Sequence, residues 1–286
     1  MQTLRLVNLL NLLELEQCNI KSMKNILLTG SEGFIGKNVK EKLETDNYNI
    51  VCLDIDFYEN ASWENKLEDI IKKTDHVLHV GAISDTMLQD ANKMMKYNFE
   101  YSKKIFDLCH KHRCKVVYSS SAANTGDNGL PSNIYGWSKY LAEQYGNALL
   151  DDFIALRYFN VYGPGEENKN KMSSVAYQAW KIKKFELFVG KPRRDFVFID
   201  DVVEATVYPI SNSISKGIYE VGSGEARTFE DVLDLMNIKY TYTDKQNIPK
   251  GYQFYTKASE EKFMKGWKPN YSLEKGIFKY LKNLNK

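Results

Sequence analysis

No stretch of this chain is apolar enough to span a membrane, no run of like charge stands out, and only four cysteines occur in 286 residues. Each scarcity removes a class of protein. Lysine and arginine total 39 against 37 acidic residues, a net charge of +2. Neither nucleic acid nor a membrane surface is therefore expected as the main partner; a small molecule is. Cys18, Cys52, Cys109 and Cys114 lie in a chain without a recognisable secretory signal, a usage that fits reduced thiols in the cytoplasm. Internal repeats and low-complexity linkers are also lacking, so one compact body is expected.

Only residues 1–22 invite a targeting reading. Leu4, Leu6, Val7, Leu9, Leu10, Leu12, Leu13 and Leu15 are interrupted there by Asn8, Asn11, Glu14 and Glu16, which is too polar for a span. Glu14, Glu16 and Gln17 stand where a signal peptide would place its cleavage site. The segment reads as an N-terminal extension, a short helix, with Met23 as the functional start.

What is present is ordinary globular composition, 43% hydrophobic and 27% charged, in a length that suits one large domain or two interlocked ones. Apolar runs at 24–29, 49–53, 76–80, 114–119 and 153–159 read as parallel strands buried on both faces. Helical patterns after Gly36 and at 63–71, 93–110 and 135–149 alternate with them. That alternation predicts an α/β fold, a doubly wound parallel, Rossmann-like sheet. Between 56 and 73 there is room for a helix but hardly for a strand, so the usual third strand is expected to be missing. Beyond Pro164 the rhythm weakens, which predicts a smaller mixed C-terminal substrate lobe. The expected division is a dinucleotide-binding domain at 23–163 with 196–222 interwoven, and a substrate lobe at 164–195 and 223–286.

Gly30, Gly33 and Gly36 punctuate the passage from the first strand to the first helix. An ordinary turn can show such glycines. With a strand before and a helix after, however, the first permits a tight turn, the second lets backbone N–H groups approach a pyrophosphate, and the third lets helix and strand pack closely. Asp54 ends the second strand, where a carboxylate can bind ribose hydroxyls and repel a 2′-phosphate. No Arg or Lys lies between Ile55 and Asn65, so NAD is expected, with NADP as the alternative. Tyr135 and Lys139 stand at i and i+4 on one helix face. A phenol is a poor base unless a neighbouring cation favours its phenolate, and Ser121, at a strand end, can orient a substrate hydroxyl. Cys109-His110-Lys111-His112-Arg113-Cys114 matches no zinc spacing, so no metal is expected. His76 and His79 read as satisfied strand residues rather than ligands.

In chain order, the glycine turn, Asp54, Ser121 and Tyr135/Lys139 resemble the extended short-chain dehydrogenase/reductase superfamily, specifically its nucleotide-sugar epimerases. HVGAISDT (79–86), RYFNVYGPGEENKNKMSSVAYQ (157–178), RRDFVFIDDV (193–202) and KGYQFYTKAS (250–259) are similar to segments of the ADP-glyceromanno-heptose 6-epimerases. The resemblance covers residues 24 to about 282 and implies transient oxidation at C6 of a heptose. Hydride passes to NAD(P), the C5–C6 bond of the 6-ketone rotates, and hydride returns to the other face. It implies Tyr135 as one acid/base, Lys139 as its pKa partner and Lys169 as the second acid/base. Cofactor contacts are implied at Phe34, Ile35, Asp54, Ile55, Lys66, Val80, Gly81, Ala82, Ile83, Ser84, Asn98 and Val161. Ser84, Asn160, Lys171, Gln178, Phe188, Val189, Gly190, Lys191, Arg194 and Tyr252 are implied on the nucleotide-sugar side, Arg194 as a diphosphate clamp. A homo-oligomer and a role in bacterial surface polysaccharide, lipopolysaccharide in particular, are implied as well.

The chain departs from the family in a short segment before Trp63, in Gly251 where a basic residue is usual, and in Lys171 and Gln178 where Ser and His are usual. The alternatives are an epimerase or reductase acting on a GDP- or UDP-sugar and a non-catalytic NAD(P)-binding sensor. A 4,6-dehydratase is disfavoured because Ala122, Ala123 and Asn124 follow Ser121.

Overall fold

The computed structural model describes residues 23–126, 129–244 and 253–285. The N-terminal extension, Cys18 and Tyr252 lie outside the described residues. In chain order the elements are β1 (Asn25–Thr29), α1 (Phe34–Thr45), β2 (Asn49–Leu53), α2 (Trp63–Ile71), β3 (His76–His79), α3 (Ala91–Met95), α4 (Tyr101–His112), β4 (Lys115–Ser121) and α5 (Ile134–Leu149). Then follow β5 (Phe153–Tyr158), β6 (Asn160–Tyr162), α6 (Val175–Ile182), β7 (Lys184–Leu187), β8 (Arg193–Phe198), α7 (Ile199–Ser211), β9 (Gly217–Val221), β10 (Ala226–Thr228), α8 (Phe229–Leu235), β11 (Lys239–Tyr242) and α9 (Leu273–Leu284).

Six strands form an all-parallel sheet in the order β2-β1-β3-β4-β5-β9. The period-2 alternation of a strand sends Ile26 and Leu28 of β1 into one core and Leu27 into the other, so helices must cover both faces. The first core runs on without a break through Tyr162, Phe196, Phe198, Ile277 and Tyr280. The sheet β10-β8-β6 thus shares one apolar interior with the large sheet, whereas β11-β7 packs on a small cluster of its own around Ala179, Leu187 and Leu233.

Among the described residues, no strand pairs with the outer edge of β2, as the short 56–73 stretch predicts. The expectation that every strand is buried on both faces fails there: Val51 is 41% exposed. The chain turns there through a 3₁₀ segment, Ile55–Glu59, into α2 and adds no strand beside β2. The helix expected at 93–110 is also not one regular element. A π turn, Lys96–Glu100, joins α3 to α4 and carries the buried Asn98; such bulges cluster at functional sites. Among the described residues, no helix is long and apolar enough to cross a membrane.

The chain order reverses at β1, whose neighbours are β2 and β3, and a crevice opens beyond the carboxyl ends of β1 and β3. Gly30 follows β1 with a φ of +72°, and a Cβ there would stand 2.4 Å from the Cα of Gly81, which follows β3. A Cβ on Gly36 would come within 1.8 Å of the Gly30 carbonyl oxygen. Bare backbone on all sides draws α1 against the strand ends and sets the floor of the site.

Candidate active site

A cleft of about 1480 Å³ runs from the glycine turn across the ends of β3 and β4 to the small lobe. Gly33 is the N-cap of α1 without a side-chain cap, and no acidic residue occupies the first turn. A Cβ on Gly33 would meet only the Gly30 oxygen, at 3.3 Å, so the space beside it is the cleft itself. Uncapped N–H groups at a helix N-terminus with an open approach suit a pyrophosphate. The Asp54 carboxylate accepts the N–H of Ile55 at 2.8 Å and of Glu32 at 2.9 Å. That fixes it at the cleft and leaves acceptor capacity for ribose hydroxyls. These residues fit a dinucleotide.

Phe34, Ile35, Gly36, Ile55, Val161 and the strand-end segment Val80, Gly81, Ala82, Ile83 and Ser84 line the same cleft. Asn98 does not; it is buried behind it. Its side chain accepts the Ile83 N–H at 2.7 Å and donates to the Ile83 carbonyl at 2.9 Å and to Ser138 Oγ at 3.0 Å, so it holds the wall rather than facing it. Lys66 also misses the cleft. On α2 the buried stripe is Leu67 and Ile71, and Lys66, one residue from Leu67, is exposed.

A polar chain runs behind the wall. His79 Nδ1 lies 2.6 Å from Thr29 Oγ1, and Nε2 lies 2.8 Å from Ser102 Oγ. Ser102 Oγ donates to the Asn98 carbonyl at 2.6 Å, so Nε2–H donates to Ser102 and Nδ1 accepts from Thr29. Thr29 Oγ1 in turn accepts the Gly81 N–H at 3.2 Å. Burial, aided by the Lys139 charge, pushes the imidazole down to about 3. Below the ordinary value of 6.5 the unfolded chain takes a proton that the folded one refuses. Stability is therefore lost as pH falls from about 6.5 towards 3. His79→Gln is expected to flatten the acid slope of urea-measured stability across that window by about 1.4 kcal/mol per pH unit. An unchanged slope would show that folded His79 takes the proton.

Tyr135 and Lys139 sit on the first turns of α5, which begins with the Asn133 side chain capping the Gly136 N–H. Tyr135, Lys139 and Ser121 all line the cleft. Burial raises the Tyr135 phenol above its usual value, and a hydrogen bond with Ser121 opposes the rise. The Lys139 ammonium rests 4.3 Å from the ring centre of Tyr118, and burial pushes it down to about 7, against the pull of Glu143.

Lys169 lies in the 3₁₀ segment Glu167–Met172 and also lines the cleft, with its ammonium 5.2 Å from the Phe34 ring centre. Burial lowers its pKa, with Glu166 opposing. Its loop is tied down from several directions. Asn38 Nδ2 donates to the Pro164 carbonyl at 3.1 Å, and the buried Glu166 carboxylate accepts from Gly163 N at 3.2 Å, Ser174 Oγ at 2.7 Å and Tyr280 OH at 2.9 Å. A polar loop that reads as solvated in sequence is thus a fixed arm over the glycine turn.

On the lobe side, Asn160, Gln178, Phe188 and Arg194 line the cleft. Arg194 is buried and donates to the Arg193 carbonyl at 3.0 Å and to the Gln253 carbonyl. Its neighbour Asp195 serves the opposite side of β8, accepting the N–H groups of Ser223, Gly224 and Ala258. Lys171 is exposed and off the cleft; its carbonyl accepts from Gln178 at 3.1 Å. Val189, Gly190 and Lys191 form the β7–β8 turn outside the cleft lining, with positive φ at Gly190 and Lys191. The sequence reading passed over Tyr58, Tyr97 and Tyr101 on the cofactor side and Phe229 beside Arg194, all of which line the cleft. The aromatic run around 57–63 was the available signal: Tyr58 stacks on Tyr101 with ring centres 4.5 Å apart.

The fold and site define a dinucleotide-dependent enzyme, and residues 26–222 match the NAD dependent epimerase/dehydratase family, to which the chain belongs. It is accordingly an isomerase that uses NAD. More particularly, it is 33% identical to the ADP-L-glycero-D-manno-heptose-6-epimerase of Brachyspira hyodysenteriae over 91% of this chain and 98% of that one. The enzyme of the same name from Alkalilimnicola ehrlichii is also 33% identical, over 82% of this chain and 88% of that one. Among solved structures, the Helicobacter pylori ADP-L-glycero-D-manno-heptose-6-epimerase superposes with a TM-score of 0.80 at 28% identity, covering 92% of this chain and 96% of that one.

Proposed function

We propose that this enzyme inverts C6 of an ADP-heptose through a transient 6-ketone, using Tyr135 and Lys169 as the two acid/base groups. The observation that carries the reading is that both groups, borne on different elements, line one cleft with Ser121 and Arg194. When bound, NAD supplies a hydride acceptor that returns the hydride. Tyr135, held by Ser121, removes or restores the proton of one C6 hydroxyl. The inverted hydroxyl directs its proton elsewhere, so a second group is needed, and Lys169, its pKa lowered by burial, is assigned that proton. The sugar must turn about C5–C6 between the two steps. The reading places the enzyme in the cytoplasm, as a homo-oligomer, where nucleotide-sugars are made for surface polysaccharide.

Arg194 is assigned to the diphosphate, because a guanidinium fork reads two phosphate oxygens at once. Arg194→Lys keeps the charge and loses the fork; KM for the nucleotide-sugar is expected to rise about 10- to 100-fold with kcat little changed. An unchanged KM would remove Arg194 from the substrate site.

The test of the reaction is an NMR time course with ADP-D-glycero-β-D-manno-heptose in D₂O. Appearance of the L-glycero epimer without deuterium at C6 is expected, because the hydride never exchanges with solvent. No conversion by NAD-loaded protein would overturn the ADP-heptose assignment and turn the search to other nucleotide-sugars.

A further inference from the structure

We infer that Tyr118 is a positioning residue for catalysis: its ring face seats the Lys139 ammonium and keeps it charged inside the protein. The inference rests on the Tyr135/Lys139 chemistry above. Tyr118 sits in the middle of β4, fully buried, three residues before Ser121 on the same strand. Lys139, also buried, approaches from α5 and places Nζ 4.3 Å from the ring centre. A desolvated ammonium over an aromatic face is held by the ring quadrupole. The Lys139 ammonium lies over the ring face rather than against the hydroxyl, so the ring is the working part.

Every charged or titratable neighbour of this seat is accounted for. His79 of β3 stacks on Tyr118 with ring centres 5.6 Å apart, and its imidazole is kept neutral by burial, so it brings no competing cation. Glu143, one helical turn beyond Lys139, is fully buried and raises the lysine. Its own charge is clamped by Arg157 of β5 through bonds of 2.9 and 2.7 Å, by Ser120 Oγ at 2.6 Å and by Asn124 Nδ2 at 3.1 Å. Tyr135 completes the ring of neighbours on the helix. Glu143 and the Tyr118 face are thus the two attractions that oppose the burial of the ammonium. Both Tyr118 and Ser121 belong to β4, so one strand fixes the lysine and the substrate-orienting hydroxyl together.

The experiment replaces Tyr118 by Phe and then by phenylalanines of increasing fluorination, which weaken the negative ring face at nearly constant shape. Lysine labelled with ¹³C at Cε is titrated by NMR in the NAD-bound protein, the Lys139 signal being assigned by its loss in Lys139→Met. Tyr118→Phe is expected to leave the Lys139 midpoint in place, and full fluorination to lower it by about one pH unit. A midpoint that ignores fluorination overturns the inference, as does one lowered equally by Tyr118→Phe. The titration needs no substrate, so its outcome is separate from the ADP-heptose assignment. With any nucleotide-sugar that is turned over, the alkaline limb of kcat should move down with the midpoint. A limb that stays put while the midpoint moves overturns the link to catalysis.

Discussion

Tyr135→Phe is expected to cut kcat by about 100- to 10,000-fold while NAD still binds, the range set by loss of one positioned acid/base. The substitution removes one oxygen from a buried ring. Ser121 Oγ keeps the Ala123 N–H as a donor at 3.1 Å, so the strand end stays capped. Asn133 still caps α5, and the glycine turn and Asp54 lie on other elements. Loss of turnover would therefore report chemistry rather than collapse. Turnover is read by NMR of the two epimers, and NAD binding by the quench of tryptophan fluorescence. A variant within about tenfold of the parent would take Tyr135 out of the reaction. A variant that fails to bind NAD would instead make Tyr135 a cofactor contact first.

That prediction could be written from the sequence alone, because the chemistry demands a fixed interval. Tyr135 and Lys139 must share a helix face, and the glycines must stand where backbone meets backbone. The same holds for the α/β alternation and the missing strand, which short chain lengths dictate. What stayed hidden in the sequence depends on contacts between distant segments. Tyr118 reads as one more apolar residue of a buried strand until α5 lays Lys139 across it. Glu166 reads as one charge in GEENKNK until Tyr280, 114 residues on, supplies a donor to it. Lys66, which similarity of sequence implies at the cofactor, is exposed on α2 beside the buried Leu67. The π turn at Asn98 is equally silent in sequence, since its cause is the peptide of Ile83 rather than any local preference.

Lys169 is the group on which the two-base mechanism turns, and sequence pattern by itself assigns it nothing. Lys169→Met is expected to lower epimerisation by about 100- to 10,000-fold, as Tyr135→Phe does. Methionine keeps the length and apolar bulk against Phe34, and the loop remains held by Asn38 at Pro164 and by Glu166 at Gly163, Ser174 and Tyr280. Equal losses would not by themselves show two bases. The sharper expectation concerns the half-reactions, because each base serves the C6 hydroxyl of one epimer only. Given each epimer separately, with a hydroxylamine probe present to capture the 6-ketone, one variant should form ketone from the D-glycero sugar alone. The other should form it from the L-glycero sugar alone. This crossed pattern follows only if the two groups act on opposite faces of the same carbon. Ketone from the same epimer in both variants would leave a single base and make Lys169 a binding residue.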